Sequence, residues 1–294
     1  MAVRRSAPSV PRHRALGMSN THATSRILPL GSVDCHAHVI KMGLPLISDR
    51  HSQPAREASV EDYLSTLTAH GVTYGLLTAP SFFGPNNEVL LDALRVSAGR
   101  LRGTVTVQPD ISEDALADLQ SEGVCGIRLN WVKRQAIPNI HSNEYQGLLG
   151  KAKNLGLHIE VFLEGEHLPP VLAAINASGA RAVIDHFGNP GGSDGIRSEG
   201  FLALLDALEA GNTWVKLSAP FRLRGSEAPA LAAKIIQQSN GERALWATDW
   251  PWVGHEDKIT YPQCIESLFE CVPDEAIRNR ILTKNAHEAF GFGS

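Results

Sequence analysis

Val33-Asp34-Cys35-His36-Ala37-His38-Val39 is the stretch from which the fold prediction starts. It predicts a short buried strand that carries two histidines two residues apart. Side chains at positions i and i+2 of a strand point to the same face, so His36 and His38 are expected to project side by side. Imidazoles paired in this way bind a metal ion or polarise a substrate. The alternative is two packed histidines whose ring nitrogens bond to the backbone.

The rest of the chain repeats a strand followed by a helix. Strands are predicted at residues 33–39, 72–79, 103–107, 124–131, 157–164, 180–186, 212–218 and 244–249. Helices are predicted at residues 59–71, 89–101, 112–122, 142–155, 170–178, 198–210, 227–240, 263–271 and 274–290. The strands are near-continuous apolar runs, as in a parallel sheet covered on both faces. Eight such units predict an α/β fold, a (β/α)8 TIM barrel, rather than an open doubly wound sheet.

Composition excludes several classes of protein. The chain has 294 residues, a net charge of -4 and no long basic stripe, so nucleic acid is not an expected partner. It has no apolar run long enough to span a membrane. The sequence lacks the G-x-G-x-x-G and G-x-x-x-x-G-K phosphate loops of nucleotide-binding folds. Its four cysteines are scattered without a C-x-x-C pair, which favours a reducing, cytoplasmic setting.

The N-terminal stretch differs in composition from the rest. Residues 1–30 are rich in Arg, Ser, Pro and Thr and contain no apolar signal-peptide core. We predict that they form a disordered extension, and that residues 31–294 form one barrel domain. Met18 is an alternative start of the functional chain.

Active sites of such barrels lie at the carboxyl ends of the strands. The catalytic candidates there are Asp249, His36, His38 and His186. Asp249 ends an apolar strand next to two tryptophans, where a buried carboxylate is costly unless it has a role. Asp185 precedes His186 and is expected to face the helices, because neighbouring strand residues point to opposite faces. The loop that follows His38 is a candidate active-site loop.

Cationic residues near the same strand ends are candidates for binding an anion. Packing alone does not explain Arg128 in strand four, since arginine is seldom buried without a partner. Arg134 and Arg222 lie on loops, and Lys216 in strand seven is a candidate partner for Glu160. Together with the catalytic candidates, these residues indicate a hydrolase for an anionic substrate. In such a hydrolase, histidines converge on the substrate carbonyl oxygen, directly or through a metal. A carboxylate of the protein accepts a proton from water, and arginines bind a carboxylate of the substrate.

Four motifs carry a resemblance to a known family. They are His36-Ala37-His38, the run Gly126-Ile127-Arg128-Leu129-Asn130-Trp131-Val132-Lys133-Arg134, Ile184-Asp185-His186-Phe187-Gly188-Asn189-Pro190, and Trp246-Ala247-Thr248-Asp249-Trp250-Pro251. In this order they resemble the amidohydrolase superfamily, its amidohydrolase-2 branch, and within it the 2-pyrone-4,6-dicarboxylate lactonases. The resemblance covers about residues 31–290 and implies a lactone hydrolase.

The resemblance also implies roles for individual residues. Asp249 corresponds to the base that activates water, and the three histidines help to polarise the lactone carbonyl. Arg128, Arg134 and Arg222 match positions that bind substrate carboxylates. Two substrate-binding positions depart from the lactonases: Asn189 replaces an arginine and Phe162 replaces a tyrosine. The expected substrate is a carboxylated lactone. It is one like 2-pyrone-4,6-dicarboxylate or, because of these two departures, a related lactone with a different anion pattern, such as a muconolactone-type ring or a sugar-acid lactone.

The sequence leaves open whether a metal ion is bound and which reaction the protein catalyses. Superfamily members with two metal ions carry a Lys or Glu on strand four and a His on strand five, where this chain has Arg128 and Phe162. The expectation is no obligatory metal, with a single zinc at His36, His38 and Asp249 as the alternative. The alternatives in function are a zinc-dependent decarboxylase, a lactone isomerase, and a barrel that binds an acid without catalysis. The expected partner is a small anionic substrate, and the sequence leaves homo-oligomer formation open.

Overall fold

The computed structural model describes residues 26–191, 195–223 and 227–293. In those ranges eight parallel strands pair in chain order. The strands are β1 (Val33–Ala37), β2 (Tyr74–Thr78), β3 (Leu101–Val105), β4 (Val124–Asn130), β5 (His158–Phe162), β6 (Arg181–Ile184), β7 (Thr213–Leu217) and β8 (Ala244–Trp246). A parallel bridge between Ala37 and Trp250 joins the first strand to the segment after the last. The predicted (β/α)8 TIM barrel is confirmed.

Helices cover the outside of the sheet. In the described ranges they are α1 (Val60–Ala69), α2 (Glu88–Val96), α3 (Glu113–Ser121), α4 (Asn143–Leu155), α5 (Leu168–Ser178), α6 (Glu199–Glu209), α7 (Ala228–Ser239), α8 (Tyr261–Cys271), α9 (Glu275–Leu282) and α10 (Lys284–Phe290). Seven of them alternate with the strands, and three follow β8. Because the helices cover the sheet, every strand is buried along almost its whole length.

Serine residues precede several of these helices and cap their first turns. The Ser59 side chain accepts a hydrogen bond from the Asp62 amide, and the Asp62 carboxylate accepts one from the Ser59 amide. Ser112, Ser142 and Ser198 each accept a hydrogen bond from the third residue of their helix. Such caps satisfy amides that have no partner inside the helix. They fix where each helix begins and hence the length of the loop before it.

Several predicted boundaries differ from those of the structure, among them the ends of two helices and of the last strand. The helix predicted at residues 89–101 ends at Val96, because Ala98 and Gly99 adopt left-handed backbone with φ of 51° and 80°. The helix predicted at residues 274–290 is divided at Thr283, whose φ of -124° and ψ of -83° are not helical. The last strand stops at Trp246, so Asp249 lies on the loop that follows it.

The predicted N-terminal extension lies outside the described residues except for residues 26–30. There Arg26 forms a 2.8 Å ion pair with Glu266. None of the helices in the described ranges has the length and apolar character needed to cross a membrane. All four cysteines are free thiols, which agrees with the absence of a predicted disulfide framework.

Candidate active site

A cavity of about 910 Å³ opens at the carboxyl ends of the barrel strands. The segment at the end of β1 contributes His38, β4 contributes Arg128, and β5 contributes Phe162. The segments that follow β6 and β8 contribute His186 and Asp249. The cavity therefore brings together candidates from five different parts of the sequence, at the end of the barrel where active sites are found.

Asp249 is the most constrained of these side chains. It is only 2% exposed and has a left-handed φ of 63°, and its amide donates a hydrogen bond to the His36 carbonyl. Its Oδ2 atom accepts a 2.6 Å hydrogen bond from Arg222 Nε. Burial by itself raises the pKa of Asp249, but the Arg222 guanidinium and the three neighbouring histidines together lower it by more, and the pKa lies well below its ordinary value. Asp249 is therefore an ionised carboxylate at neutral pH.

The two histidines of β1 meet this carboxylate, and their rings lie 4.9 Å apart, side by side as predicted. His38 Nε2 is 3.3 Å and His36 Nε2 is 3.6 Å from Asp249 Oδ1. His38 Nδ1 lies 2.7 Å from the Thr78 carbonyl oxygen, which can only accept, so Nδ1 carries a hydrogen. Burial, reinforced by the Lys216 ammonium, lowers the pKa of His36 to about 4. The His36 ring is therefore neutral at neutral pH.

His186 follows β6 and faces the same cavity. Its Nδ1 atom lies 2.8 Å from the Ser218 hydroxyl, and its ring centroid is 5.0 Å from that of His36. Burial lowers the pKa of His186 to about 3. A neutral imidazole at this point can donate or accept a hydrogen bond without adding charge to the cavity.

Two of the three predicted arginines line the cavity, and both already have internal partners. Arg128 is only 4% exposed and donates to Asp185 Oδ2 at 3.0 Å. Arg222 donates to Asp249 Oδ2, and its Nη2 atom donates to the Val253 carbonyl at 3.1 Å. The Arg222 side chain is 26% exposed, so it retains a surface that a ligand can contact.

The other three predicted substrate-binding residues are arranged differently. Arg134 is not among the residues that line the cavity, and its Nε atom lies 3.6 Å from the Asp49 carboxylate. Asn189 lines the cavity, and its Nδ2 atom donates to the Leu163 carbonyl at 2.9 Å. Phe162 lines it with an apolar ring. The structure thus brings Asn189 and Phe162 to the catalytic candidates, and leaves Arg134 outside the lining.

A buried group of charges lies inside the barrel. Lys216 Nζ is 2.6 Å from Glu160 Oε2, which confirms the predicted pairing, and 3.1 Å from Asp185 Oδ1. Arg128 Nε lies 3.4 Å from Glu160 Oε1. Burial lowers the pKa of Lys216. The Asp185 and Glu160 carboxylates together raise it by more, so the pKa lies above its ordinary value. Two cations thus balance two carboxylates, as buried charges require.

The prediction that Asp185 faces the helices is wrong. Its Oδ1 atom lies 3.1 Å from His36 Nδ1, and its Oδ2 atom accepts from Arg128, so the carboxylate points into the barrel. The prediction assumed that the strand continues to His186. The strand ends at Ile184, and His186 and Phe187 have positive φ of 48° and 58°, so the alternation of faces is lost after Asp185.

Further cavity residues were not singled out in the sequence. His51 lies on the loop that follows His38, and its ring stands edge-on to Phe162 at 5.7 Å. His255 lies beyond Asp249 in the loop after β8. The signal for both was their place in loops at the carboxyl ends of strands, where barrel enzymes build their sites. Neither residue carries a motif that distinguishes it from an ordinary loop histidine.

Ligand atoms of His36, His38 and Asp249 lie within 4.8 Å of one another, so distance alone allows one metal ion. The charges around this set do not fit a cation. Arg222 occupies one oxygen of Asp249 at 2.6 Å, and the Lys216 ammonium lies 3.0 Å from His36 Nδ1. Both positive groups oppose the binding of a divalent ion between them.

Comparison with known proteins identifies the family. The family model described as Amidohydrolase matches residues 33–292. The chain belongs to the amidohydrolase family. The match covers all eight strands and the cavity residues described above, so the whole candidate site lies within the part of this amidohydrolase that defines the family.

Several named relatives of this amidohydrolase are lactone hydrolases, and one is a D-galactarolactone isomerase from Agrobacterium fabrum. The 2-pyrone-4,6-dicarboxylate hydrolase of Comamonas testosteroni is 31% identical over 88% of this chain and 89% of its own length. The 4-sulfomuconolactone hydrolase of Hydrogenophaga intermedia is 26% identical over 90% of each chain. A crystal structure from Acinetobacter baumannii, described as a probable 2-pyrone-4,6-dicarboxylic acid hydrolase with citric acid bound, is 30% identical. It superposes with a TM-score of 0.82 over 89% of this chain and 100% of that one.

Proposed function

We propose that this amidohydrolase opens the ring of a carboxylated lactone by hydrolysis. The observation that carries the proposal is the Asp249 carboxylate, which is buried beside the cavity and lies within 3.6 Å of two imidazole nitrogens. A carboxylate held in this way is a general base for water. The named lactone hydrolases among its relatives support the same reaction.

Asp249 removes a proton from a water molecule, and the water oxygen attacks the lactone carbonyl carbon. The bond between that carbon and the ring oxygen then breaks. The protonated Asp249 returns its proton to the ring oxygen, so the product is a hydroxy acid and the enzyme is unchanged. A base and acid positioned in this way contribute about 10²- to 10⁴-fold to the rate.

His36 and His186 stabilise the developing negative charge on the carbonyl oxygen by donating N–H hydrogen bonds into a buried site, where such bonds are stronger than in water. His38, whose Nδ1 hydrogen bonds to the Thr78 carbonyl, is the third imidazole of this group. His38 and His186 line the cavity, and their ring centroids lie 4.9 and 5.0 Å from that of the fully buried His36, which supports a shared target for the three rings.

The substrate carboxylate binds to Arg222, with Arg128 and Lys133 adding positive charge to the same cavity. The relative from Acinetobacter baumannii has citric acid, a tricarboxylic acid, bound in its crystal structure, which agrees with a carboxylated ligand. Phe162 and Asn189 line the cavity without contributing charge. The substrate class that we propose is a 2-pyrone-dicarboxylate-like, muconolactone-like or sugar-acid lactone.

The reaction proposed here has no obligatory metal. Lys216 and Arg222 supply positive charge next to His36 and Asp249, where a metal ion would otherwise supply it. The competing hypothesis is a single zinc at His36, His38 and Asp249. Treatment with a chelator separates the two, because only zinc-dependent activity is lost on treatment.

The test is turnover of a panel of carboxylated lactones, followed by NMR with and without chelator. The proposal predicts a ring-opened hydroxy acid from at least one compound, formed equally with chelator present. A product that keeps the ring with its ester bond moved would instead identify a lactone isomerase. Loss of carbon dioxide that stops with chelator would identify a zinc-dependent decarboxylase. Either of these results, or no turnover across the panel, contradicts the proposal.

A further inference from the structure

The ammonium group of Lys216 is fully buried inside the barrel and has three close neighbours. Its Nζ atom lies 2.6 Å from Glu160 Oε2, 3.1 Å from Asp185 Oδ1 and 3.0 Å from His36 Nδ1. An ammonium carries three N–H donors and has no lone pair with which to accept. The three neighbours therefore match its three hydrogens, provided that His36 Nδ1 is an acceptor.

The surroundings of His36 Nδ1 favour a bare nitrogen. A hydrogen on Nδ1 would point at the hydrogens of Lys216, 3.0 Å away, and leave one of them without an acceptor. Asp185 Oδ1 also lies 3.1 Å from Nδ1, but the Asp185 carboxylate has other hydrogen-bond donors. Its Oδ1 atom pairs with Lys216, and its Oδ2 atom accepts from Arg128 at 3.0 Å.

The other ring nitrogen of His36 leads to the same tautomer. Among the described residues, Nε2 is buried without a hydrogen-bond partner, and Asp249 Oδ1 lies 3.6 Å from it. A bare Nε2 would set its lone pair against the lone pairs of an ionised carboxylate. A hydrogen on Nε2 is instead attracted to that oxygen, and to any substrate oxygen that comes between them.

We infer that Lys216 is a positioning residue that holds His36 as the Nε2–H tautomer, so that His36 presents a hydrogen-bond donor to the reacting centre. Lys216 itself does not line the cavity and acts only through the imidazole. The mechanistic use of this donor rests on the proposed function, since the donor stabilises the lactone oxygen there. The tautomer itself does not depend on that function.

The inference separates two histidines that look equivalent in the sequence. His38 carries a hydrogen on Nδ1, because that nitrogen faces the Thr78 carbonyl. His36 has its hydrogen on the opposite nitrogen. A metal ligand must offer a lone pair, so the Nε2–H form withdraws His36 from the candidate metal set. The lysine and a metal at this place therefore exclude one another.

The experiment is a long-range ¹H–¹⁵N correlation spectrum of the full chain labelled with ¹⁵N-histidine, recorded near neutral pH without substrate. The two neutral tautomers give different peak patterns, and the peaks of His36 and His38 are assigned with single His→Asn variants. We expect Nε2–H for His36. A spectrum with the hydrogen of His36 on Nδ1 would overturn the inference.

Variants test whether Lys216 is the cause. Lys216→Met alone leaves two buried carboxylates underpaired, so the informative variant is the charge-balanced pair Lys216→Met with Glu160→Gln. We expect the hydrogen of His36 to move to Nδ1 in that pair, where it can donate to Asp185. We expect it to stay on Nε2 in the matched control Glu160→Gln, which keeps the lysine. If His36 keeps Nε2–H in the double variant, Lys216 does not set the tautomer.

Kinetics connect the tautomer to the reaction. On a lactone that the wild type opens, the double variant should lose kcat by on the order of 10²-fold or more while KM changes little. Equal loss in the double variant and in Glu160→Gln would contradict the role of the donor. The tautomer spectrum requires no substrate, so failure to find a lactone substrate would reject the proposed function and leave the Lys216 result standing on its own.

Discussion

Asp249 and Arg222 form a 2.6 Å ion pair, with the guanidinium Nε bonded to one carboxylate oxygen while the other oxygen faces His36 and His38. The base and the arginine that we assign to the substrate carboxylate are therefore in contact in the free enzyme. A substrate carboxylate that binds Arg222 shares this cation with Asp249. In the proposed mechanism, substrate binding and the strength of the Asp249 base are therefore coupled through the Arg222 side chain.

Arg222→Met tests this contact. The variant removes a hydrogen bond between charged groups, which is worth roughly 1.5 to 3 kcal/mol, so kcat/KM for a carboxylated lactone should fall by about 10- to 100-fold. Steady-state kinetics on the carboxylated substrate measure this. Arg95→Met, which changes an exposed arginine on α2, is the matched control and should leave kcat/KM unchanged. Equal kcat/KM in wild type and Arg222→Met contradicts the assignment.

The pH dependence of kcat/KM follows from the same site. The pKa of Asp249 lies well below its ordinary value, and burial lowers the pKa of His186 to about 3. A lowered pKa keeps the carboxylate ionised and the imidazole neutral down to a lower pH. We therefore expect kcat/KM to be independent of pH between about 5 and 8, and to fall only in stronger acid. An acid limb with an apparent pKa near 6 or 7 would show that another group governs the reaction.

Asp34 gives a stability prediction. Its carboxyl is buried and bonds to the Thr248 amide and hydroxyl and to the Tyr261 hydroxyl. Burial raises its pKa from 3.8 to about 6, despite those bonds. A raised pKa in the folded state means that the folded protein favours the protonated form. Protonated Asp34 contributes to the free energy of unfolding in full below pH 3.8. This contribution, on the order of 3 kcal/mol, is lost as the pH rises through 6.

Asp34→Asn removes this ionisation while keeping the size of the side chain. The free energy of unfolding of Asp34→Asn should therefore rise relative to that of the wild type by about 2 kcal/mol as the pH rises from 4 to 7. Urea unfolding of both proteins across this range measures the difference. A difference between the two proteins that stays constant with pH would show that Asp34 does not titrate as its buried position requires.

The fold was predictable because its signals are local. Apolar runs define the strands, and serine caps such as Ser59 and Ser142 define helix starts. The order of these elements then requires a barrel. The meeting of Asp249 with His36 and His38 follows, because β1 and β8 are neighbours once the barrel closes. Periodicity alone does not show left-handed residues such as Ala98, and the predicted boundary was wrong there.

The charges inside the barrel were harder to predict. The pairing of Lys216 with Glu160 followed from the need to neutralise a buried ammonium, but its distance from His36 depends on how the strands are staggered. Asp185 was assigned to the wrong face because the positive φ of His186 breaks the strand alternation that the sequence implies. Backbone conformations at strand ends depend on tertiary contacts, which a single sequence does not reveal.

The most direct test of the account is the rate of ring opening by Asp249→Asn compared with wild type, on a carboxylated lactone that the wild type hydrolyses. The amide keeps the shape of the side chain but cannot accept the proton of water. Removal of the general base predicts a loss in kcat of about 10²- to 10⁴-fold, with a circular dichroism spectrum like that of the wild type. A folded Asp249→Asn protein that opens the lactone at the wild-type rate would contradict the claim that Asp249 is the base.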